Sequence, residues 1–284
     1  MPELPEVETV CRGIAPFIEG ATLEHVVLNR PNLRIPFPEF LHERLQGLTV
    51  RRVERLAKYV LIHLSDAKIL VIHLGMSGQV KIVQDYAAYS EIKHDHMILC
   101  FDENKALVYN DPRRFGMVML FDDAQTLNAD PAFAKMGPDP LGADFSAEIL
   151  AERLGARRTY IKAALLDQRV VAGLGNIYVC EALFMAGVHP QRRADDISAQ
   201  EAARLYTAIV EVLQKAIKAG GSTLKDYRSA DGKLGYFQNE LLVYGREEAP
   251  CYQCGKAAIK RIVQSGRSTF YCPSCQADAV EVTN

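Results

Sequence analysis

Apolar residues at the start of the chain recur at helical spacing. Leu4, Val7, Val10, Cys11 and Ile14 fall on one face of a helix predicted over residues 3–18, with Pro5 suited to its first turn. From about residue 21 to residue 121 the pattern changes to short β-branched runs. Residues 58–63 and 68–73 are two such runs, split by Ser65-Asp66; residues 96–101 and 106–109 flank a hairpin turn at Asp102-Glu103-Asn104; residues 117–121 form a further strand. Several short strands with turns between them predict a sandwich or barrel. Residues 122–145 contain Asp122-Asp123, Pro131, Gly137-Pro138 and Pro140, the texture of a linker. Helical patterning then takes over. Ser146 caps a first helix, residues 161–166 lie in a second and 177–185 in a third, and 199–219 is long and amphipathic, ended by Gly220-Gly221. Residues 222–242 read as a loop leading to a last small β unit at 243–275, and the chain shows no internal repeat and no low-complexity segment.

Composition narrows the class without fixing the activity. The 284 residues are 49% hydrophobic and 24% charged, the profile of a globular protein of about two domains. The net charge of −2 does not advertise a nucleic-acid binder, but the charges are uneven. Residues 1–10 hold three glutamates and no base, whereas residues 251–275 hold Lys256, Lys260, Arg261 and Arg267 and no acid, and a local basic face binds phosphate whatever the total. No apolar run reaches the length of a membrane span, and the acidic start lacks the apolar core of a signal peptide, so the expectation is a cytoplasmic protein with no membrane partner.

The cysteines carry the sharpest chemistry. Cys251-Tyr-Gln-Cys254 and Cys272-Pro-Ser-Cys275 are two C-x2-C pairs separated by seventeen residues. Each pair places two sulfurs at a tight turn, and two such turns complete a tetrahedron for one Zn2+. The competing reading is a disulfide pair or unrelated buried thiols. Four thiolates fill the coordination shell of zinc, so the expected ion is structural and activates no water. Lys260 and Arg261 fit a solvated face, while Arg267 follows Gly266 near the expected hairpin tip, where a guanidinium reaches phosphate or a groove.

The opening MPELPEVETV, HLGMSG at 73–78, NDPRRFG at 110–116, GLGNIY at 173–178 and the closing four-cysteine unit together resemble the formamidopyrimidine-DNA glycosylase family, in order and over essentially the whole chain. The span between the two C-x2-C pairs is a residue longer than the common family spacing, which bears on where Arg267 lies. The resemblance implies an α+β fold: an N-terminal catalytic β-sandwich flanked by helices over residues 1–130, a linker at 131–145, a helix-two-turn-helix DNA-binding domain with a lesion-capping loop at 146–237, and a C-terminal β-hairpin zinc finger at 238–284. It implies a bifunctional base-excision-repair enzyme, glycosylase and AP lyase, that removes 8-oxoguanine and formamidopyrimidines from double-stranded DNA and also acts at abasic sites. The same resemblance implies a monomer at the bacterial nucleoid.

It also assigns roles. With Met1 removed, Pro2 becomes a terminal secondary amine that attacks the sugar C1′ and forms a Schiff base. A terminal amine, with an ordinary pKa of ~7.7–8 against ~10.4 for lysine, is the easier neutral nucleophile. The helix that follows favours the neutral amine, and the nearby Glu3 and Glu6 oppose that effect. Glu3 is the expected general acid, and Lys58 the lysine that contacts phosphate and assists elimination. Read as residue types alone, the three equally suit a helix-leading proline, a first-turn glutamate and a strand-edge lysine. Extruding a nucleotide leaves a gap that needs filling, and Met76, Arg113 and Phe115 match the inserted residues, with core packing as the competing role for Met76 and Phe115. His73, His94, Asn176 and Arg267 match phosphate contacts; a structural role is the alternative for either histidine, and helix capping for Asn176. Glu181 matches an acidic position whose role the sequence leaves open. Residues 222–236 match a loop that closes over the extruded purine, with a plain linker as the alternative.

Overall fold

The computed structural model describes residues 2–222 and 237–277, so the proposed lesion-capping loop lies mostly outside the described residues. The chain divides into two compact units, one built from Met1–Ala134 and Ile217–Gln238, the other from Lys135–Ala216 and Asn239–Asn284.

The first unit opens with helix α1 (Leu4–Ile18) and places Pro5 in its first turn. Val7, Val10, Cys11, Ile14 and Ile18 form its buried stripe. Strands β1 (Leu23–Leu28), β2 (Val50–Leu56), β3 (Tyr59–Leu64), β4 (Ile69–His73), β5 (Gln79–Val83), β6 (Asp95–Phe101), β7 (Ala106–Asn110) and β8 (Met117–Phe121) follow, with the short helix α2 (Leu41–Leu45) between β1 and β2. They make two four-stranded antiparallel sheets, ordered β1-β6-β7-β5 and β2-β3-β4-β8. One apolar core joins both sheets to α1: Leu99, Phe101, Leu107 and Tyr109 from the first, Val60, Ile62, Leu70 and Ile72 from the second. This is the expected sandwich with a helix against it.

The β6–β7 hairpin turns where the sequence places it. Glu103 and Asn104 take positive φ angles of 55° and 60°, the backbone that a tight right-twisted hairpin demands. Strand β6 is buried at all seven positions because its second face, with Ile98 and Cys100, packs under Tyr86 and Tyr89. A strand covered on both sides shows no alternation, so its sequence reads as a continuous apolar run.

The stretch read as linker contains a helix. Asp123 accepts the Thr126 N–H at 2.7 Å and Thr126 Oγ1 accepts the Asp123 N–H at 3.1 Å, a reciprocal cap that starts α3 (Ala124–Ala129). Phe133 follows it and meets the Tyr59 and Phe121 rings edge-on, with centroids 4.9 Å and 5.8 Å away.

The second unit carries α4 (Ala147–Gly155), α5 (Ile161–Leu166), α6 (Asn176–Ala186) and most of α7 (Ala199–Lys218), then the hairpin β9 (Lys260–Gln264) and β10 (Arg267–Tyr271). Ser146 Oγ caps α4 by accepting the Ile149 N–H at 3.3 Å. Helix α6 is buried on almost every side, and its Cys180 and Phe184 pack with Val243, Ile259 and Phe270 of the following segment.

Ile14 lies wholly inside the core that supports the start of the chain. Ile14→Ala is expected to lower the free energy of urea unfolding by about 3 kcal/mol, the cost of lost burial plus a cavity. A change below 1 kcal/mol, roughly that of a conservative surface swap, would contradict this packing.

Candidate active site and zinc hairpin

Pro2 is buried and leads directly into α1. Glu3 holds the N-cap position in extended backbone and is 2% exposed. Its N–H donates to Glu6 Oε2 at 2.9 Å. The other oxygen of Glu6 accepts from both the backbone N–H and the hydroxyl of Ser222, at 2.7 Å and 2.9 Å. Gly221 makes that approach possible: its φ is +81°, and a Cβ there would stand 3.1 Å from Glu6 Cγ. Glu6 thus fixes the chain start and the chain after α7 to each other within the first unit. Its spacing from Glu3 is a capping signature legible in sequence; its hold on Ser222 is not.

Lys58 does not begin a strand. It sits in the tight β2–β3 turn, where Leu56 pairs with Tyr59 and Ala57 has a φ of +53°, and it is buried to 8% exposure. Tyr59 pairs in turn with His73 at the end of β4, which brings this turn beside His73. Burial, with the positive charges of Lys58 and Arg34 behind it, lowers the His73 pKa to about 4. His73 is therefore neutral at physiological pH. Its Nδ1 accepts the Gly75 N–H at 3.1 Å, which leaves the proton on Nε2 and makes the ring a neutral donor. The structural role of this histidine is thus met by Nδ1, while Nε2 carries the proton.

Gly75 and Gly78 bracket Met76, and the loop from Asp111 to Gly116 lies directly against them. A Cβ on Gly75 would come within 2.4 Å of the Phe115 carbonyl carbon. Phe115 is 45% exposed, and the Arg113 guanidinium lies 5.0 Å from its ring centroid. Core packing is thereby excluded for Phe115; Met76 is half-buried. His94 adopts a φ of +76°, and its carbonyl accepts the Asp111 N–H at 3.1 Å. It sits beside Asp95, which is 3% exposed and accepts from Tyr89, Ile92, Asn110 and Lys81.

In the second unit Asn176 is the first residue of α6 and Gly175 its cap, so capping does not occupy the asparagine side chain. Its Nδ2 donates to the Ser268 carbonyl at 2.9 Å, and its Oδ1 is buried with no hydrogen-bond partner among the described residues. Lys162, which sequence reasoning passed over, is 1% exposed and donates to the same Ser268 carbonyl at 3.1 Å and to Thr269 Oγ1 at 2.6 Å. Both side chains thus grip β10 next to Arg267, which is exposed and follows the turn at Ser265 and Gly266. The long span between the cysteine pairs does not disturb this arm: β9 and β10 pair without a bulge, Arg267 facing Gln264. Glu181 is structural. Buried to 1% exposure, it accepts the backbone N–H groups of Leu242, Val243 and Tyr244 at 2.8, 3.0 and 2.8 Å. Burial still pushes its pKa up, against the pull of those donors.

The sulfurs of Cys251, Cys254, Cys272 and Cys275 all lie within 4.8 Å of one another, with Cys251–Cys275 and Cys254–Cys272 at 3.8 Å. Tetrahedral Zn–S bonds of about 2.3 Å require sulfurs about 3.8 Å apart, so the residues fit one zinc ion. The Ala257 and Lys256 N–H groups lower the Cys254 thiol to about 6, whereas burial raises the thiols of Cys272 and Cys275. Burial likewise pushes Cys11 and Cys100 up, to about 12 and about 11.

Comparison with known proteins agrees with this architecture. Residues 1–118 match the model of the formamidopyrimidine-DNA glycosylase N-terminal domain, residues 136–228 its H2TH domain, and residues 250–277 the zinc finger found in FPG and IleRS. A formamidopyrimidine-DNA glycosylase of Ruegeria pomeroyi is 50% identical, over 97% of this chain and all of the relative. A Lactococcus lactis FPG mutant in complex with Fapy-dG containing DNA superposes with a TM-score of 0.89 at 38% identity, covering 98% of this chain and all of that one. The Lactococcus lactis Fpg in complex with an abasic site containing DNA gives 0.87 at 38% identity, covering 97% and 100%. The sandwich, the helical unit and the four-cysteine hairpin therefore define a DNA glycosylase of the helix-two-turn-helix, zinc-finger class. Within that class, the chain belongs to the formamidopyrimidine-DNA glycosylase family.

Cys254→Ser is expected to abolish stoichiometric zinc, read by atomic absorption, and to loosen the 250–277 unit towards protease, because a closed four-thiolate site supplies the folding energy of a small unit. Full zinc content in that variant would contradict the ligand set. The His73 shift has a sign of its own. Between about pH 6.5 and pH 4 the native state binds fewer protons than the unfolded chain, so the contribution of His73 is complete above pH 6.5, falls as the pH drops, and is constant below about pH 4. His73→Gln should flatten the acid limb of a stability–pH profile across that window by at most about 3 kcal/mol. An unchanged slope would contradict a buried neutral ring.

Proposed function

We propose that the chain is a bifunctional base-excision-repair glycosylase and AP lyase that excises 8-oxoguanine and formamidopyrimidines from duplex DNA with Pro2 as the nucleophile. The observation that carries the reading is a family match over the whole chain, with a buried proline leading the first helix. With Met1 removed, the Pro2 nitrogen attacks C1′ of the extruded nucleotide, and the bond to the base breaks as the base takes up a proton. Glu3 protonates the ring oxygen as the sugar opens, leaving an iminium at Pro2. That cation draws electrons from C2′, so loss of a C2′ proton expels the 3′ phosphate and a second elimination expels the 5′ phosphate. Lys58, next to His73, holds phosphate and assists elimination.

In this reading Met76, Arg113 and Phe115 fill the vacated stack, with Arg113 facing the orphaned cytosine. His73, His94, Asn176 and Arg267 hold phosphates, and residues 222–236 close over the purine. Residues 1–130 carry the chemistry, 146–237 the helical DNA grip and 238–284 the zinc finger. The same reading makes the chain a monomer working in the cytoplasm at the nucleoid; among the described residues no helix is long and apolar enough to cross a membrane.

Sodium borohydride should trap the wild type covalently on a duplex bearing 8-oxoguanine opposite cytosine. Pro2→Gly should slow cleavage at least a hundredfold while binding to the damaged duplex largely survives. Full activity in Pro2→Gly would contradict the nucleophile, absence of trapping in protein of confirmed Met1 removal would favour a non-catalytic DNA binder, and a strong preference for thymine glycol would overturn the choice of purines.

A further inference from the structure

Asp111 is a buried carboxylate to which the proposed chemistry gives no task. It is 0% exposed. Its oxygens are held by uncharged donors. Oδ1 accepts the Ser77 hydroxyl at 2.6 Å and Oδ2 accepts the Gly116 N–H at 2.9 Å, with Tyr109 Oη at 3.4 Å. Ser77, 4% exposed, turns its oxygen lone pair to the Arg113 N–H at 3.1 Å. The backbone of Asp111 continues the web, its carbonyl accepting from Arg114 N–H at 3.2 Å and from His96 Nε2 at 3.0 Å.

These bonds join two loops that are separate in sequence. Ser77 adjoins Met76; Gly116 adjoins Phe115; Arg113 is bonded directly. The fit is close enough to exclude side chains. A Cβ on Gly116 would lie 1.7 Å from Tyr109 Oη, and one on Gly78 would lie 2.5 Å from the same atom. A loop that has to push side chains into a base stack cannot yield when the stack pushes back, and a buried, fully bonded polar network supplies that stiffness.

We propose that the Ser77–Asp111 pair is a positioning device that fuses the Met76 loop and the Arg113–Phe115 loop into one rigid insertion element, and that this rigidity governs how fast a damaged base is extruded. The inference rests on the proposed function, because it takes Met76, Arg113 and Phe115 as the inserted residues. Both members of the pair are buried and act through the loops they join. Ser77→Ala removes one oxygen and cuts the link between the loops while leaving Asp111 on Gly116. Asp111→Asn keeps an acceptor for Gly116 and a donor for Ser77 Oγ, so it should retain more function than Asp111→Ala.

The test compares two single-turnover rates in the full-length protein: excision of 8-oxoguanine opposite cytosine, which requires extrusion of a stacked base, and nicking of the same duplex bearing an abasic site, which has no base to extrude. Ser77→Ala should slow excision about tenfold and leave abasic nicking within about twofold. 2-Aminopurine beside the lesion should report unstacking slowed by the same factor, with Asp111→Asn between wild type and Asp111→Ala. Excision at the wild-type rate in Ser77→Ala, or equal loss of both activities in Ser77→Ala and Asp111→Asn, would overturn the inference. A wild type inert on both duplexes would overturn the repair reading itself and this inference with it. An active wild type matched by Ser77→Ala overturns the inference alone.

Discussion

The structure turns on the Glu6 carboxylate. A nucleophile at the very start of a chain faces a physical difficulty, because termini fray unless something ties them down. Here one buried side chain bonds the Glu3 N–H with one oxygen and both donors of Ser222 with the other. The chain start is held at the positive end of a fifteen-residue helix whose apolar stripe is embedded in the sandwich core. The same bonds tether the chain just ahead of residues 223–236, the segment proposed to close over the purine.

The positions of the other proposed site residues in the first unit follow from strand register and loop contact. Tyr59 pairs with His73, and this sets the Lys58 turn against a neutral imidazole. The loops after β4 and β7 meet at Gly75 and Gly116, where backbone touches backbone, so the segments that carry Met76 and Arg113–Phe115 lie side by side although they are distant in the chain. In the second unit Lys162 and Asn176 converge on a single carbonyl of β10, fastening the arm that carries Arg267 to the start of α6. Phosphate contacts fix register on a duplex, and they do so only when the groups that make them are themselves held.

How much of this was legible in the sequence depends on the range of the interactions. Helix α1, the β6–β7 turn and the four zinc cysteines announce themselves because their signals are local: a helical period, a turn composition, two C-x2-C pairs. Strand β2, with Arg51, Arg52 and Glu54 among its seven residues, shows no strand pattern because its polar side chains stay near solvent and pair with neighbours such as His63. Helix α3 was hidden in a stretch rich in Asp and Pro because it is only six residues long and stands on its cap. The family resemblance supplied Pro2, Glu3 and Lys58, but no local pattern shows that Lys58 is buried. The holds of Glu6 on Ser222, of Asp111 on Ser77 and of Lys162 on Ser268 are not legible, because those partners lie 216, 34 and 106 residues away and only the fold brings them together.

In the proposed reaction the covalent bond to DNA forms at the Pro2 nitrogen and at no lysine. Peptide sequencing of the borohydride-reduced protein–DNA adduct by tandem mass spectrometry, after nuclease and protease digestion, locates that bond. The sugar remnant is expected on the N-terminal peptide, localised to Pro2 with Met1 absent. A remnant carried on Lys58 or Lys162, with the N-terminal peptide unmodified, would contradict it.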